Sequence, residues 1–218
     1  MSKSDPVAVA ATASLPPEIF KAYDIRGIVG KSLTPEIVER IGQALGSEAL
    51  AQNQKRFIIG RDGRLSSPKM ASALIEGLRK AGREVIDIGE VPTPMAYFGS
   101  FQLRAGCCVS VTGSHNPPDY NGFKIVIDGE TLVGDAIQNI YARIAENRLF
   151  RADGPGLLSI RDIKNDYIQR ISGDIQIERK LKVVIDCGSG VAGAIAPELL
   201  AAIGAEVEPL YCEVDGLF

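Results

Sequence analysis

Short apolar runs of strand length alternate with segments of helical period along most of this chain. The run 107–111 is mostly apolar and predicts a buried strand. Thr34 followed by Pro35 is typical of a helix start, and apolar residues then recur at every fourth position. Strands that alternate with helices favour a layered domain with a mostly parallel sheet. The sequence therefore predicts an α/β fold: a three-layer α/β/α domain with a mostly parallel mixed sheet, followed by the start of a second, similar α/β domain.

The composition indicates a globular protein without a strong overall electrostatic field. The chain has 218 residues, of which 45% are hydrophobic and 23% charged, enough to bury a sizeable core. Its formal net charge is -3, so no global potential attracts nucleic acid or an anionic membrane. No apolar run approaches the roughly 20 residues that span a bilayer. We expect a cytoplasmic protein with no nucleic-acid or membrane partner.

Three segments are predicted along the chain. Residues 1–17 are rich in alanine, serine and proline and are expected to form a disordered leader. Residues 18–155 form the first domain, and 156–218 hold a linker helix, at about 161–172, and a truncated start of domain 2. A doubly wound domain needs more strands than 182–218 supplies. We therefore expect an N-terminal fragment, cut inside its second domain.

Four cysteines and a single histidine limit the metal and redox chemistry of the chain. The cysteines are Cys107, Cys108, Cys187 and Cys212, and none belongs to a C-x-x-C pair. Three lie in apolar, strand-like runs, which predicts buried free thiols in a reducing compartment. With one histidine, the sequence argues against a structural zinc site.

The polar loop that follows the predicted strand 107–111 is the strongest candidate site. Ser114, His115 and Asn116 stand there in succession, and two prolines close the loop. Ten residues after Ser114, Lys124 interrupts an apolar strand. These side chains beside buried strands suggest a site that handles an anion. Two structural interpretations stay open: a turn serine capping its own loop, and a gatekeeper lysine on an edge strand.

The same loop argues against a serine hydrolase. Its histidine must reach the serine hydroxyl, whereas the side chains of consecutive residues such as Ser114 and His115 usually diverge. The chain also lacks the G-x-S-x-G elbow. We expect His115 to donate hydrogen bonds to substrate or phosphate. Asn116 is expected to order the loop or to contact a ligand.

Three arginines are further candidates for binding an anion. Arg26 has the geometry for bidentate bonds to a phosphate, or for a surface pair with Asp24. Arg61 and Arg64 lie in a loop between a strand and a helix, where α/β sheets bind ligands. These two side chains either touch the site or brace the loop by salt bridges.

Three segments carry a resemblance to a known family. Thr112-Gly113-Ser114-His115-Asn116-Pro117 resembles the active-site serine signature of the α-D-phosphohexomutases, in their bacterial phosphomannomutase/phosphoglucomutase branch. The segments 20–27 and 60–66 are similar to two more family motifs and stand in the family's order. The resemblance runs from about residue 20 to the C-terminus.

The resemblance implies an activity and a role for each site residue. Ser114 would carry a phosphoryl group, and Lys124 would act as general acid/base. Arg26 and Tyr23 would lie in the same cleft. The enzyme would interconvert 1-phospho and 6-phospho hexoses of mannose or glucose, through a phosphoserine and a hexose 1,6-bisphosphate.

The resemblance also implies a cofactor, Mg²⁺. The metal would bind the phosphate oxygen of Ser114 and three aspartates of an Asp-Gly-Asp-x-Asp-Arg loop. That loop is not in this sequence. Ser114 is then the one family metal residue here, the partners include the missing C-terminal domains, and the chain by itself is expected to be inactive.

Two other classes of function remain open at this point. Residues 188–193 read G-x-G-x-x-G after a predicted strand, and Glu206 or Glu208 follows at the spacing of a ribose-binding acid. This pattern predicts an NAD-binding oxidoreductase, although glycines also permit tight strand-to-helix turns. The third class is a non-catalytic α/β binding module.

Overall fold

The structure is a computed structural model that describes residues 15–217. Most of the predicted leader, residues 1–14, lies outside the described residues. The strands are β1 Ile25–Ile28, β2 Arg56–Arg61, β3 Glu84–Glu90, β4 Gly106–Val111, β5 Tyr120–Ile127, β6 Glu130–Thr131, β7 Leu158–Ile160, β8 Lys182–Asp186 and β9 Glu206–Leu210. The α-helices are α1 Pro35–Ala51, α2 Ser67–Lys80, α3 Thr93–Gln102, α4 Asp135–Ala145, α5 Lys164–Asp174 and α6 Ala196–Ala202. Short 3₁₀ helices span Pro17–Ile19 and Val191–Ala194.

The main sheet is mixed and mostly parallel, as predicted. Its strand order is β1-β5-β4-β2-β3-β7, and β6 pairs with β5. Strands β4, β2, β3 and β7 run parallel, whereas β5 pairs antiparallel with both β1 and β4. The parallel strands require helical crossovers, which place helices on the faces of the sheet.

Two hydrophobic clusters cover the two faces of this sheet and confirm the three-layer prediction. Alternate residues of a strand point to opposite faces. Phe57 and Ile59 of β2 accordingly join the cluster formed with α1, α2 and α4. Ile58 joins the second cluster, with Met95 of α3 and Ile168 of α5. The near-continuous apolar character of β2 and β4 follows from burial on both faces.

Local sequence signals set several element boundaries. Helix α1 begins after Thr34, whose hydroxyl accepts the N–H of Ile37 at 3.4 Å. The turn between β5 and β6 has Asp128 and Gly129 at φ 53° and 78°. Asp-Gly between two apolar runs predicts a hairpin, and both residues have the positive φ that a type I′ turn needs.

Two features differ from the sequence-based expectation. Strand β7 was not predicted; it pairs with β3 and extends the first sheet beyond the proposed boundary at 155. Its three residues are exposed and follow a glycine- and proline-rich segment, so they show no apolar run. The sequence predicts one helix over 191–203, whereas a 3₁₀ turn ends at Ala194 and α6 begins at Ala196. Pro197 lies in the first turn of α6, where its missing N–H costs no helical hydrogen bond.

A second, smaller unit follows α5. Strands β8 and β9 are parallel neighbours joined through α6, the β-α-β start that the sequence predicted. The division into segments 1–17, 18–155 and 156–218 stays a prediction.

Candidate active site

Two loops emerge side by side at the carboxyl ends of β2 and β4. These strands are parallel neighbours, with Arg61 in register with Val111. The loop after β2 and the loop that holds Ser114 therefore begin at the same edge of the sheet. This edge is where α/β sheets bind their ligands.

Asp62 ties the two loops together. Its carboxylate accepts the backbone N–H of Arg64 at 3.1 Å and the hydroxyl of Ser67 at 2.5 Å. It also accepts the N–H of Gly113, in the neighbouring loop, at 3.0 Å. Both carboxylate oxygens thus already accept hydrogen bonds from donors within the protein.

The side chain of Arg64 holds the main chain of the loop that carries Ser114, called the serine loop below. Its guanidinium donates to the carbonyl oxygens of Ser114 at 3.1 Å and Asn116 at 2.6 Å. It donates in the same way to Pro117 at 2.6 Å and Tyr120 at 3.0 Å. A planar guanidinium with five donors suits such a cluster of acceptors. These are bracing contacts, and direct contact between Arg64 and a substrate stays a prediction.

Replacing Arg64 with alanine is expected to loosen the serine loop. Hydrogen bonds from charged donors contribute more than neutral ones, and solvent replaces part of them here, so we expect a loss of about 2 kcal/mol in unfolding free energy. Arg64→Lys should recover little, because an ammonium lacks the planar fork. Urea unfolding and amide hydrogen exchange of Asn116 and Tyr120 measure both effects.

Arg148→Ala is the matched control, because the side chain of Arg148 is 53% exposed. Its free energy of unfolding should stay within about 0.5 kcal/mol of the parent. Unchanged exchange at Asn116 in Arg64→Ala would contradict the bracing role.

Ser114 lies at the tip of this braced loop in a left-handed conformation. Its φ is 52°, and its N–H donates to the hydroxyl of Thr112 at 2.9 Å. The side chain of Asn116 donates to Gly113 O at 2.9 Å and closes the loop. Within residues 15–217 the Ser114 hydroxyl makes no hydrogen bond, and Ser114 lines a cavity of about 780 Å³. Positive φ at a non-glycine residue is a strained conformation of the kind that clusters at functional sites.

Arg26 and Lys124 lie on one face of the sheet near this loop. Arg26 is in register with Gly122, whose carbonyl accepts the N–H of Thr112 at 2.9 Å. Lys124 is in register with Ser110. The neighbours of Lys124 in the strand belong to the cluster under α1, so Lys124 lies on the opposite face, that of α3.

Neither Arg26 nor Lys124 has a full set of ion-pair and hydrogen-bond partners within the described part of the chain. Arg26 pairs with Asp24, as one interpretation of the sequence expected, but its buried Nε has no hydrogen-bond partner. Lys124 is half-buried and forms no ion pair or hydrogen bond with residues 15–217. A partly buried positive group without a partner favours binding of an anion.

The remaining candidate residues are distributed around the site. Tyr23, 76% exposed, and Arg26 line a second cleft of about 670 Å³. Asn116 lines both cavities, so the two adjoin. His115 is exposed, and Arg61 lies 3.7 Å from Asp87. Neither His115 nor Arg61 lines these two cavities.

Sequence reasoning gave too little weight to three residues. Asp62 and Thr112 fix the backbone of the serine loop, as described above. Asn121 is fully buried, and its amide nitrogen donates to the hydroxyls of Ser66 and Ser67 at 2.9 Å each. Two signals in the sequence point to these residues. Asp62 stands two residues before Arg64, the spacing of an Asx turn. Asn121 places a side-chain amide at the start of an apolar strand.

The described residues do not by themselves fit a divalent metal. Residues 15–217 contain no group of three or more His, Cys, Asp or Glu side chains that could hold an ion. The carboxylate of Asp62 is occupied by protein donors. Ser114 would supply one ligand through a phosphate oxygen, whereas Mg²⁺ prefers near-octahedral oxygen coordination.

The glycine turn at 188–193 does not offer a pyrophosphate cradle. The N–H of Gly188 donates to the Asp186 carboxylate, and that of Ser189 donates to Tyr211 O. The N–H groups of Gly190 and Gly193 are also bonded within the protein. A dinucleotide site needs such amides free at the start of a helix. The geometry argues against the NAD-binding interpretation.

All four cysteines are free thiols, as predicted, but only two of them are buried. Cys107 and Cys108 are buried free thiols, and burial raises their pKa to about 11 and about 12. Cys187 and Cys212 are only half-buried, because they lie in turns after β8 and β9.

Fold and site together define an α/β domain with a serine loop and uncompensated cations at the carboxyl edge of its sheet. Residues 17–151 match the family model described as phosphoglucomutase/phosphomannomutase, alpha/beta/alpha domain I. The chain belongs to the phosphoglucomutase/phosphomannomutase family, which confirms the resemblance predicted from the three motifs.

Named relatives and a solved structure agree with this assignment. The chain is 50% identical over 212 residues to a phosphomannomutase/phosphoglucomutase of Pseudomonas aeruginosa, covering 97% of this chain and 45% of the relative. It is 44% identical to a phosphoglucomutase of Neisseria meningitidis, covering 94% and 45%. A crystal structure of a family protein from Burkholderia thailandensis superposes with TM-score 0.88 at 45% identity, covering 93% and 46%. The chain thus spans less than half the length of these relatives. No helix within residues 15–217 is long and apolar enough to cross a membrane.

Proposed function

We propose that this chain supplies the phosphoserine domain of a hexose phosphate mutase. Ser114 is the phosphoryl carrier, and the substrates are 1-phospho and 6-phospho hexoses of mannose or glucose. One observation carries the proposal: the Ser114 hydroxyl has no partner among residues 15–217 and lines a cavity on a loop fixed by Arg64. Its relatives are named for this activity.

The reaction divides into two phosphoryl transfers. A hydroxyl oxygen of the sugar phosphate attacks phosphorus, and the bond from phosphorus to Ser114 Oγ breaks. The proton of that hydroxyl passes through Lys124 to the departing Oγ, so the products are a hexose 1,6-bisphosphate and the free Ser114 hydroxyl. After the intermediate reorients, Ser114 Oγ attacks its other phosphoryl group, and the serine proton returns through Lys124 to the departing sugar oxygen. Positioning and charge neutralisation are the main catalytic contributions to such transfers.

The other site residues also receive proposed roles, which for His115 and Arg61 rest on the sequence and not on the lining of the cavities. Arg26, with its buried unpartnered Nε, neutralises charge on the phosphoryl oxygens. Tyr23 and Asn116 contact the sugar phosphate from the cleft that they line. His115 donates to the phosphate, Arg61 approaches the substrate, and Arg64 holds the loop. The domain division, 18–155 and 156–218, and a cytoplasmic location belong to the same proposal.

Mg²⁺ is proposed as the cofactor, bound to the phosphate oxygen of Ser114. When bound it neutralises charge on that phosphate. Its other ligands must come from outside the described residues, so no step above depends on it.

The test is the phosphorylation state of protein isolated from its native source. We expect one phosphoryl group, mapped by peptide mass spectrometry to Ser114. Adding a hexose monophosphate should remove it and produce the bisphosphate, and a hexose 1,6-bisphosphate should restore it. A protein that carries no phosphate and takes none up would overturn the proposal and favour a non-catalytic binding module.

A further inference from the structure

Two thiols lie against each other where the second unit meets the serine loop. Strands β8 and β9 are parallel neighbours, with Asp186 in register with Leu210. Cys187 follows the end of β8, and Cys212 follows β9 by two residues. Their sulfur atoms are 3.5 Å apart, and the thiol of Cys212 donates to that of Cys187.

Backbone hydrogen bonds hold the two thiols in this position. The N–H of Cys187 donates to Leu210 O at 3.1 Å, and the N–H of Ser189 donates to Tyr211 O at 2.8 Å. The N–H of Asp215 returns to Ser189 O at 2.9 Å. A disulfide needs its sulfur atoms about 2.05 Å apart, so closure requires an approach of about 1.5 Å between side chains already in contact.

We infer that Cys187 and Cys212 form a reversible disulfide when the protein meets a hydroperoxide or glutathione disulfide. With hydrogen peroxide, one thiolate sulfur attacks an oxygen, the O–O bond breaks, and a sulfenic acid forms with loss of water. The second thiol then attacks that sulfur, the S–O bond breaks, and a second water leaves, so two thiols are oxidised and one hydrogen peroxide is reduced to two waters. With glutathione disulfide, one thiolate breaks the S–S bond and releases one glutathione, and the second thiol then attacks the mixed disulfide and releases the other.

The other two cysteines provide an internal contrast. Cys107 and Cys108 are consecutive in β4, so their side chains point to opposite faces and cannot bridge. Both are fully buried. Desolvation raises the pKa of Cys187 to about 11, which makes the first step slow at neutral pH. The preformed contact with Cys212 favours the second step.

The bridge would lie next to the wall of the cavity that Ser114 lines. Residues 188–190 and 215–217, in the turns that carry the two cysteines, line that cavity. Gly216 lies against the loop after β2, where an added Cβ would be 3.0 Å from the Leu65 side chain. We expect oxidation to fix this wall. The inference goes beyond the mutase proposal and does not depend on it.

The experiment counts free thiols after oxidation. The purified protein is treated with hydrogen peroxide or glutathione disulfide, denatured and alkylated with N-ethylmaleimide, and its intact mass is measured by mass spectrometry. We expect the alkyl groups to fall from four to two, a linked peptide pair containing Cys187 and Cys212, and recovery of four after dithiothreitol.

Two single variants separate this disulfide from other oxidation products. Cys187→Ser and Cys212→Ser should each form no intramolecular bridge under the same treatment. Four alkyl groups on the treated parent would overturn the inference. Loss of alkylation at Cys107 or Cys108, or a bridge between two chains, would overturn it as well.

Discussion

In the full-length enzyme, replacing Ser114 with alanine is expected to abolish phosphoryl uptake and mutase turnover while leaving the fold intact. The substitution removes the hydroxyl, which makes no hydrogen bond within residues 15–217, and keeps the Cβ. The loop remains tied by Asp62 to Gly113 and by Arg64 to the carbonyl of residue 114. Incubation with a hexose 1,6-bisphosphate, followed by intact mass, measures uptake, and urea unfolding measures stability. Ser172→Ala, on α5 and outside these loops, is the matched control and should keep full uptake.

A glycine at the same position separates strain from chemistry. Left-handed backbone costs an ordinary residue about 1–2 kcal/mol, and glycine adopts it without that penalty. The greater freedom of glycine in the unfolded chain offsets about 0.5–1 kcal/mol. Ser114→Gly should therefore be as stable as the parent or slightly more stable, yet take up no phosphoryl group. Phosphoryl uptake by either Ser114 variant would place the carrier on another residue.

Replacing Gly77 with alanine is expected to destabilise the first domain more than any surface change. Gly77 lies where α2 crosses α1, and an added Cβ would overlap the carbonyl oxygen of Glu39 and lie 2.7 Å from Gln43 N. Both neighbours are helix backbone and cannot turn away. The helices must separate, which costs about 3 kcal/mol as overpacking does at its upper range. For a chain of this size the melting temperature should fall by about 6–12 °C.

Gly173→Ala is the control for the helix-crossing prediction. Gly173 is an exposed glycine in α5, and an added Cβ there meets no atom within 4 Å. Alanine in an open helical position should raise stability by about 0.5–1 kcal/mol. Equal melting temperatures for Gly77→Ala and the parent would refute the close crossing of α1 and α2. Thermal unfolding followed by circular dichroism measures both variants.

The sequence by itself predicted most of the helices and strands and identified the family. Apolar runs of strand length and the Thr34-Pro35 helix start depend on nearest neighbours in the chain, so they are readable locally. The three ordered motifs identified the family, and the family model over residues 17–151 confirmed it. The roles of Ser114 and Lys124 remain predictions that rest on those motifs.

The tertiary structure alone decided which groups meet. Strand β7 exists because β3 offers an open edge, and its own three residues carry no pattern that predicts it. Arg64 could have faced a ligand or braced a loop; it braces, because the loop after β4 places four carbonyl groups around it. Cys187 and Cys212 are 25 positions apart in sequence and become neighbours only when β8 and β9 pair in register. Local propensity is encoded residue by residue, whereas such contacts depend on strand order and register, which the whole fold sets.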